Sequence, residues 1–217
     1  VSQRAAPDLR GAMGVFGGTF DPIHIGHLAV AESARDELGL ERVLFVPAGE
    51  PPHKRDRAVT PAADRLAMVE AAIADNPGFA ASRVEIDRPG PSWTADTLAS
   101  LAERDADGRS LALIIAADSY HELATWHEPE RVLRLATLVV TPRDGYPDAD
   151  ASYLAREFPG VEARVVFLDG PRIRLSASDL RERASAGRSL RYLVPGAVAA
   201  YIGDHGLYQE RRRPDRP

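Results

Sequence analysis

Short apolar runs that stop at glycine, proline or a small residue, each followed by a stretch of helical periodicity, constrain this chain more than any other feature. The clearest run is Leu111 to Ala117. It has the length of a buried strand and falls far short of the ~20 residues that cross a membrane. Met13 to Gly17, Arg42 to Pro47, Phe79 to Ile86, Thr137 to Thr141 and Arg164 to Leu168 read as further strands. Gly26 to Leu38 is predicted helical, with Leu28, Ala31, Ala34 and Leu38 at helical spacing and Gly39 as its C-cap. Pro61 to Asn76 is a second helix with Thr60 placed as its cap, and Thr94 to Arg104 a third. Shorter helical patterns span Glu128 to Leu135, Ala151 to Phe158, Ser178 to Ala186 and Pro195 to Gly203. Strands separated by helical connections imply right-handed crossovers, hence an α/β fold with a doubly wound, mostly parallel sheet and helices on both faces. Ligands of such sheets bind beyond the carboxyl ends of the strands, where the strand order reverses.

The 217 residues suit one domain, expected over residues 13–208, after a loose extension at 1–12 and before a basic tail at 209–217. The chain carries a formal charge of −5, which argues against nucleic acid or an acidic membrane as partner. Without cysteine, disulfides, thiolate metal sites and cysteine nucleophiles are excluded. Residues 1–12 contain no apolar segment of the kind a secretory leader needs, so a cytoplasmic location is expected. Lys54 is the only lysine among 27 lysines and arginines, which invites a specific role for it.

Five local patterns cluster where the fold would place a ligand. Gly17-Gly18-Thr19-Phe20-Asp21-Pro22-Ile23-His24-Ile25-Gly26-His27-Leu28 joins the first strand to the first helix. Its paired glycines let backbone amides approach a ligand, and the helix N-terminus favours an anion. His24 and His27, three apart, can face one site, and Gly26 keeps the backbone uncovered between them. A metal would need a third ligand beside the pair; Asp21 is nearby but, sitting before Pro22, can equally brace the loop, so no metal site is expected. Pro51-Pro52-His53-Lys54, with Arg55 and Arg57, leaves the second strand and brings positive charge to the same edge. Ser92-Trp93-Thr94 opens a helix whose free amides suit a carboxylate or amide, with Thr94 read as the N-cap. Asp118 ends the best strand, where a carboxylate often takes ribose hydroxyls, and Trp126-His127 follow it. Arg174-Leu175-Ser176-Ala177-Ser178-Asp179-Leu180-Arg181 offers serines at a helix start and an arginine one turn inside. Each has an ordinary alternative: a tight turn, a solvated connector, a capped helix or a core indole.

Together these residues resemble the nucleotidyltransferase superfamily, whose mark is the histidine–x–glycine–histidine signature, here His24 to His27. The closer resemblance is to the bacterial nicotinate-nucleotide adenylyltransferase family. It covers Met13 to Tyr208 and includes the closing Tyr192-Leu193-Val194-Pro195 and Tyr201-Ile202. It implies a Rossmann-like fold in which ATP and nicotinate mononucleotide meet over the first strand and helix. By position it assigns Gly17, Gly18, Thr19, Phe20 and Gly26 to ATP, with His24 and His27 on its phosphates and Lys54 nearby. It assigns the nicotinate carboxylate to the Thr94 backbone beside Trp93, and the pyridine ring to Trp126. Asp118 would orient a ribose, while Ser176, Ser178 and Arg181 would grip the ATP tail. Two positions depart from the family pattern: Ala116-Ala117 precede Asp118 where a glycine is usual, and Leu175-Ser176-Ala177-Ser178 replaces isoleucine-serine-serine-threonine.

The implied reaction passes the adenylyl group of ATP to nicotinate mononucleotide, releasing pyrophosphate. The attacking phosphate monoester is already anionic at neutral pH and needs no general base. Positioning and charge neutralisation then carry catalysis, by a positive cluster of the two histidines, Lys54, Arg181 and Mg²⁺ brought by ATP without protein ligands of its own. Expected partners are therefore the two nucleotides, with a homo-oligomer left open. The alternatives are another adenylyl- or cytidylyltransferase, such as one acting on phosphopantetheine, and a non-catalytic nucleotide-binding module. A class I aminoacyl-tRNA synthetase shares the histidine signature but also uses a lysine-rich second loop, which a chain with one upstream lysine lacks.

Overall fold

A computed structural model describes residues 7–51, 59–104, 108–161 and 164–209. In chain order the elements are β1 (Met13–Gly18), α1 (Ile25–Leu38), β2 (Arg42–Pro47), α2 (Ala62–Ile73), β3 (Phe79–Ala81), α3 (Thr94–Arg104), β4 (Leu111–Ala116), α4 (Ala117–His121), a 3₁₀ turn (Leu123–Thr125), α5 (Pro129–Leu135), β5 (Ala136–Thr141), α6 (Ala151–Glu157), β6 (Val165–Phe167), α7 (Ala177–Ser185) and α8 (Gly196–Asp204). The six strands form one sheet in the order β3-β2-β1-β4-β5-β6, and every pair is parallel. The doubly wound α/β expectation holds, and the sheet is wholly rather than mostly parallel. The order reverses at β1, which has β2 on one side and β4 on the other.

Period-two alternation divides the strands between two cores. Val43, Phe45, Ala112, Ile114 and Val139 pack on one face with buried residues of α1, α2, α7 and α8. Leu44, Val46, Leu111, Leu113, Ile115, Leu138 and Val140 pack on the other with those of α3, α5 and α6. Because both faces are covered, the strands read as unbroken apolar runs. Among the described residues no helix is long and apolar enough to cross a membrane.

Several boundaries differ from the sequence reading. The stretch before β1 is packed over its described part: Leu9 and Ala12 are buried in the first core, and the Gly11 amide donates to the Gly39 carbonyl. Leu9 and Ala12 therefore belong to the packed domain rather than to a loose extension. Gly39 does end α1 in a left-handed conformation. β3 is three residues rather than eight, because the chain turns away after the Ser82 amide bonds the Phe45 carbonyl. Pro61, not Thr60, precedes α2 as its N-cap, and Thr94 is the first residue of α3 rather than its cap. The five-residue α4 is too short to show a helical period in sequence.

Arg65 of α2 is almost wholly buried at 1% exposure. Its Nε donates to the Thr60 carbonyl at 2.8 Å, Nη1 to Thr19 at 2.8 Å, and Nη2 to Ala48 at 2.6 Å and Gly49 at 3.3 Å. One guanidinium thus joins the loops after β1 and β2 to the start of α2. Nearby, the buried Asp21 carboxylate accepts from Tyr208 Oη at 2.7 Å and the Thr60 amide at 3.3 Å. Replacing Arg65 with leucine keeps the apolar stem but strands four carbonyls. Arg65→Leu is expected to cost about 3 kcal/mol or more in urea unfolding at neutral pH; a loss below about 1 kcal/mol would show that water meets those carbonyls instead.

Candidate active site

Gly17 and Gly18 end β1 at the reversal point, and the chain then turns through Thr19 and Phe20 into α1. Phe20 is buried and left-handed (φ 50°), a conformation that non-glycine residues seldom adopt. Its ring meets the edge of His27, with centroids 5.1 Å apart. His24 is the N-cap of α1, and its amide donates to His27 Nδ1 at 3.2 Å. With Nδ1 accepting, the proton of a neutral His27 sits on Nε2. The two imidazoles stack at 3.6 Å with an 18° tilt. Gly26 makes room for that stack, since a Cβ there would lie 3.1 Å from the His24 ring.

Burial first, then the Arg143 charge, pushes the His24 imidazole down to about 4. Burial, then His24, then Arg143 hold His27 well below its ordinary value. At neutral pH the pair is therefore uncharged, which corrects its place in the expected positive cluster. Neutral rings still carry N–H donors, and any cations at this cleft belong to other residues.

Arg143, on the segment after β5, is one such cation and was missed in the sequence. Its Nε lies 3.8 Å from Asp118 Oδ2 at the start of α4. Both histidines, Gly26 and Arg143 line a cleft of about 60 Å³ with Ala116 and Ile173. It shares Arg143, Asp144, Ile173 and Leu175 with a wider space of about 410 Å³ reaching Arg174, Ser176 and Asp179. Ser176 caps α7, its hydroxyl accepting from the Asp179 amide at 3.1 Å. Arg181 donates to the Asp21 carbonyl at 2.7 Å and to Ser178 Oγ at 3.1 Å, so it braces the glycine loop against α7.

A second group forms around the start of α3. Ser92 Oγ accepts from the Gly49 and Glu50 amides at 2.9 and 3.2 Å, tying the β2 loop to Trp93 and Thr94. The Trp93 ring lies 4.8 Å from that of His127. Trp126, half-buried, packs against the second core beside it. Arg131 of α5 reaches Asp96 of α3 at 3.1 Å and Glu128 at 2.8 Å, holding the two segments together. Lys54 and His53 lie outside the described residues. Among the described residues no three His, Asp or Glu side chains are grouped to hold a metal ion.

Residues 15–183 match the cytidylyltransferase-like family. A probable nicotinate-nucleotide adenylyltransferase of Thermomicrobium roseum is 48% identical over 91% of both chains. One from Thermus thermophilus is 46% identical over 91% of this chain and 99% of its own. The chain belongs to the nicotinate-nucleotide adenylyltransferase family. In fold it is similar to the Plasmodium falciparum nicotinic acid mononucleotide adenylyltransferase in complex with NaAD, with a TM-score of 0.75, 18% identity and coverage of 92% of this chain and 98% of that one.

For this family member the structure brings His24, His27, Gly26 and Arg143 to one cleft, links Asp118 to it through Arg143 and Ser176 through the adjoining wider space, and sets the Trp93 ring against His127, the neighbour of Trp126. Arg143 carried no local signal, being one arginine among many, and His127 stood out only as part of the Trp126-His127 pair, with no role of its own. The depressed imidazoles make stability depend on pH. Each folded ring binds fewer protons than its unfolded form, so stability is full above about 6.5 and is lost as pH falls. For His24 the loss continues down to about 4. In an NMR titration both rings are expected to stay neutral at about pH 6. The urea midpoint should fall between about pH 6.5 and 4, less steeply in His24→Asn. Ordinary titration of both rings near 6.5 would contradict their burial.

Proposed function

We propose that this chain transfers the adenylyl group of ATP to nicotinate mononucleotide in the cytoplasm, giving nicotinate adenine dinucleotide and pyrophosphate. One observation carries the reading: the stacked, buried and uncharged His24–His27 pair at the N-terminus of α1, placed where the strand order reverses. The names of the family members and the dinucleotide in the Plasmodium complex support the substrates.

A phosphate oxygen of the mononucleotide attacks the α-phosphorus of ATP in line. The new P–O bond forms as the bond to the bridging oxygen breaks, and the electron pair leaves with pyrophosphate. No proton has to be removed from the nucleophile, so neutral imidazoles suffice. His27, its Nδ1 occupied, donates from Nε2 to a phosphoryl oxygen on which charge develops. His24 lies against it and limits its motion. Arg143 supplies positive charge over the cleft, turning from Asp118 toward the phosphates and freeing that carboxylate for ribose hydroxyls. Lys54 adds a second cation. Arg181 holds the glycine loop, so that Gly17, Gly18, Thr19 and Phe20 meet the phosphates in a fixed shape, while Ser176 and Ser178 receive the remainder of ATP. ATP enters as its Mg²⁺ complex, with no residue of the chain assigned to the ion. The Thr94 amide at the start of α3 takes the nicotinate carboxylate, and Trp126 stacks on the pyridine ring.

Pyrophosphate release from ATP, with each acceptor offered separately, tests the reading. Nicotinate mononucleotide should outperform the nicotinamide form, because amide donors suit a carboxylate better than a neutral amide. Equal rates with both, or release with phosphopantetheine alone, would overturn the assignment. His27→Ala is expected to lower turnover by about 10²–10³-fold with the fold intact. Arg143→Ala should act mainly on ATP and be partly rescued by Arg143→Lys, whereas Trp126→Ala should raise the Michaelis constant for the mononucleotide more than that for ATP. Equal effects of Trp126→Ala on both substrates would count against stacking.

A further inference from the structure

A separate concavity, about 450 Å³, lies between the chain leaving β3 and α3. Its walls share no residue with the cleft at the histidines. Ser82, Asp87 and Arg88 line one side, Ser100 and Arg104 the other, with Val84 and Pro89 between. Among the described residues the only carboxylate of this wall is committed elsewhere: Arg83 donates to both Asp87 oxygens, at 3.2 and 2.8 Å. Arg104, at the end of α3, makes no ion pair among the described residues. Arg88 donates from Nη2 to Thr97 Oγ1 at 3.1 Å, but its Nη1 is buried with no hydrogen-bond partner. A buried guanidinium N–H without an acceptor is costly, and it asks for one.

We propose that this pocket binds the phosphate group of a small phosphorylated anion. Two guanidinium groups and two hydroxyls present more donors than a carboxylate can accept, and they match the three terminal oxygens of a phosphate. The Arg88 guanidinium would meet one oxygen, its side chain turning to bring the buried Nη1 to the pocket, and Arg104 another, with Ser82 and Ser100 on the rim. The pocket also has a route to the other face of the loop. The Thr97 hydroxyl that receives Arg88 lies 2.7 Å from Glu85 Oε1 and 3.1 Å from the Trp93 carbonyl, next to Thr94. Glu85 is buried, and that burial pushes its carboxyl above the usual carboxylate range while the Arg88 charge acts the other way.

Calorimetric titration of the full chain with orthophosphate tests the site, in phosphate-free buffer at low salt. Wild type and His27→Ala are expected to bind orthophosphate equally. Arg104→Glu should weaken binding at least ~10-fold by reversing the charge of a direct contact. Arg104 is exposed, so that variant should keep the wild-type melting temperature and rate of pyrophosphate release; Ser100→Ala gives a milder second variant with a smaller loss of affinity. Displacement of orthophosphate from the Arg104-dependent site by a mononucleotide or dinucleotide would identify a nucleotide phosphate as the source, and displacement by pyrophosphate alone would identify a free phosphoanion. Binding lost in His27→Ala and kept in Arg104→Glu would assign the anion to the cleft and overturn the proposal, as would no binding to wild type.

Discussion

The buried guanidinium of Arg65 is the interaction on which the edge of this sheet depends. Carbonyls of Thr19, Ala48, Gly49 and Thr60 converge on it from three separate segments. Loops at the carboxyl ends of parallel strands have no ladder of their own, so their backbone polar groups must find partners elsewhere. A single planar donor with five N–H groups satisfies four carbonyls at once and sets the distance between the β1 and β2 loops. Asp21 beside it extends the arrangement through Tyr208, which closes the end of the chain onto the same loop. Close approach reinforces the join: a side chain on Gly49 would run into the Glu85 carbonyl, 2.3 Å from where its Cβ would be. The glycine loop after β1 is therefore shaped by contacts on the side of Arg65 and Asp21.

That rigid edge lets the histidine pair be buried, and burial decides its electrostatics. Desolvation disfavours imidazolium, and Arg143 nearby disfavours it further. The arrangement separates two duties often given to one side chain. In the proposed reaction, directional hydrogen bonding would fall to neutral rings fixed by stacking and by the His24 amide, and charge neutralisation to arginines. For an overall acidic chain that must bring two anions together, concentrating the cations at one cleft is the electrostatic requirement. The ion pair between Arg143 and Asp118 also keeps a partly exposed cation from lying unpaired before a nucleotide arrives.

The strand–helix order was legible because strands covered on both faces must be apolar throughout, and six such runs stand apart from the helical segments. The His24–His27 junction was legible because its glycines and histidines lie within one short stretch. Other features were not. β3 was overestimated because Phe79 to Ile86 has strand-like residues that the Glu85–Thr97 contact instead draws toward α3. Leu9 and Ala12 looked like part of a tail because nothing local says that they fill a gap in the first core. Gly26 was read as space for a ligand, and it is also space for the His24 ring. Trp126 and Trp93 were found as residue types, but the Trp93–His127 contact depends on α3 and α5 being brought together by Arg131.

By itself the sequence determined the alternating α/β order, the two apolar faces of each central strand and the place of the glycine–histidine turn. These follow from local periodicity and from chemistry confined to neighbouring residues. Only the tertiary structure decided which of many arginines would be buried, which would face the cleft, and that the two histidines would be uncharged. A side chain's protonation and its donors depend on how much water is excluded and which distant charges are brought close, and both are properties of the packed fold.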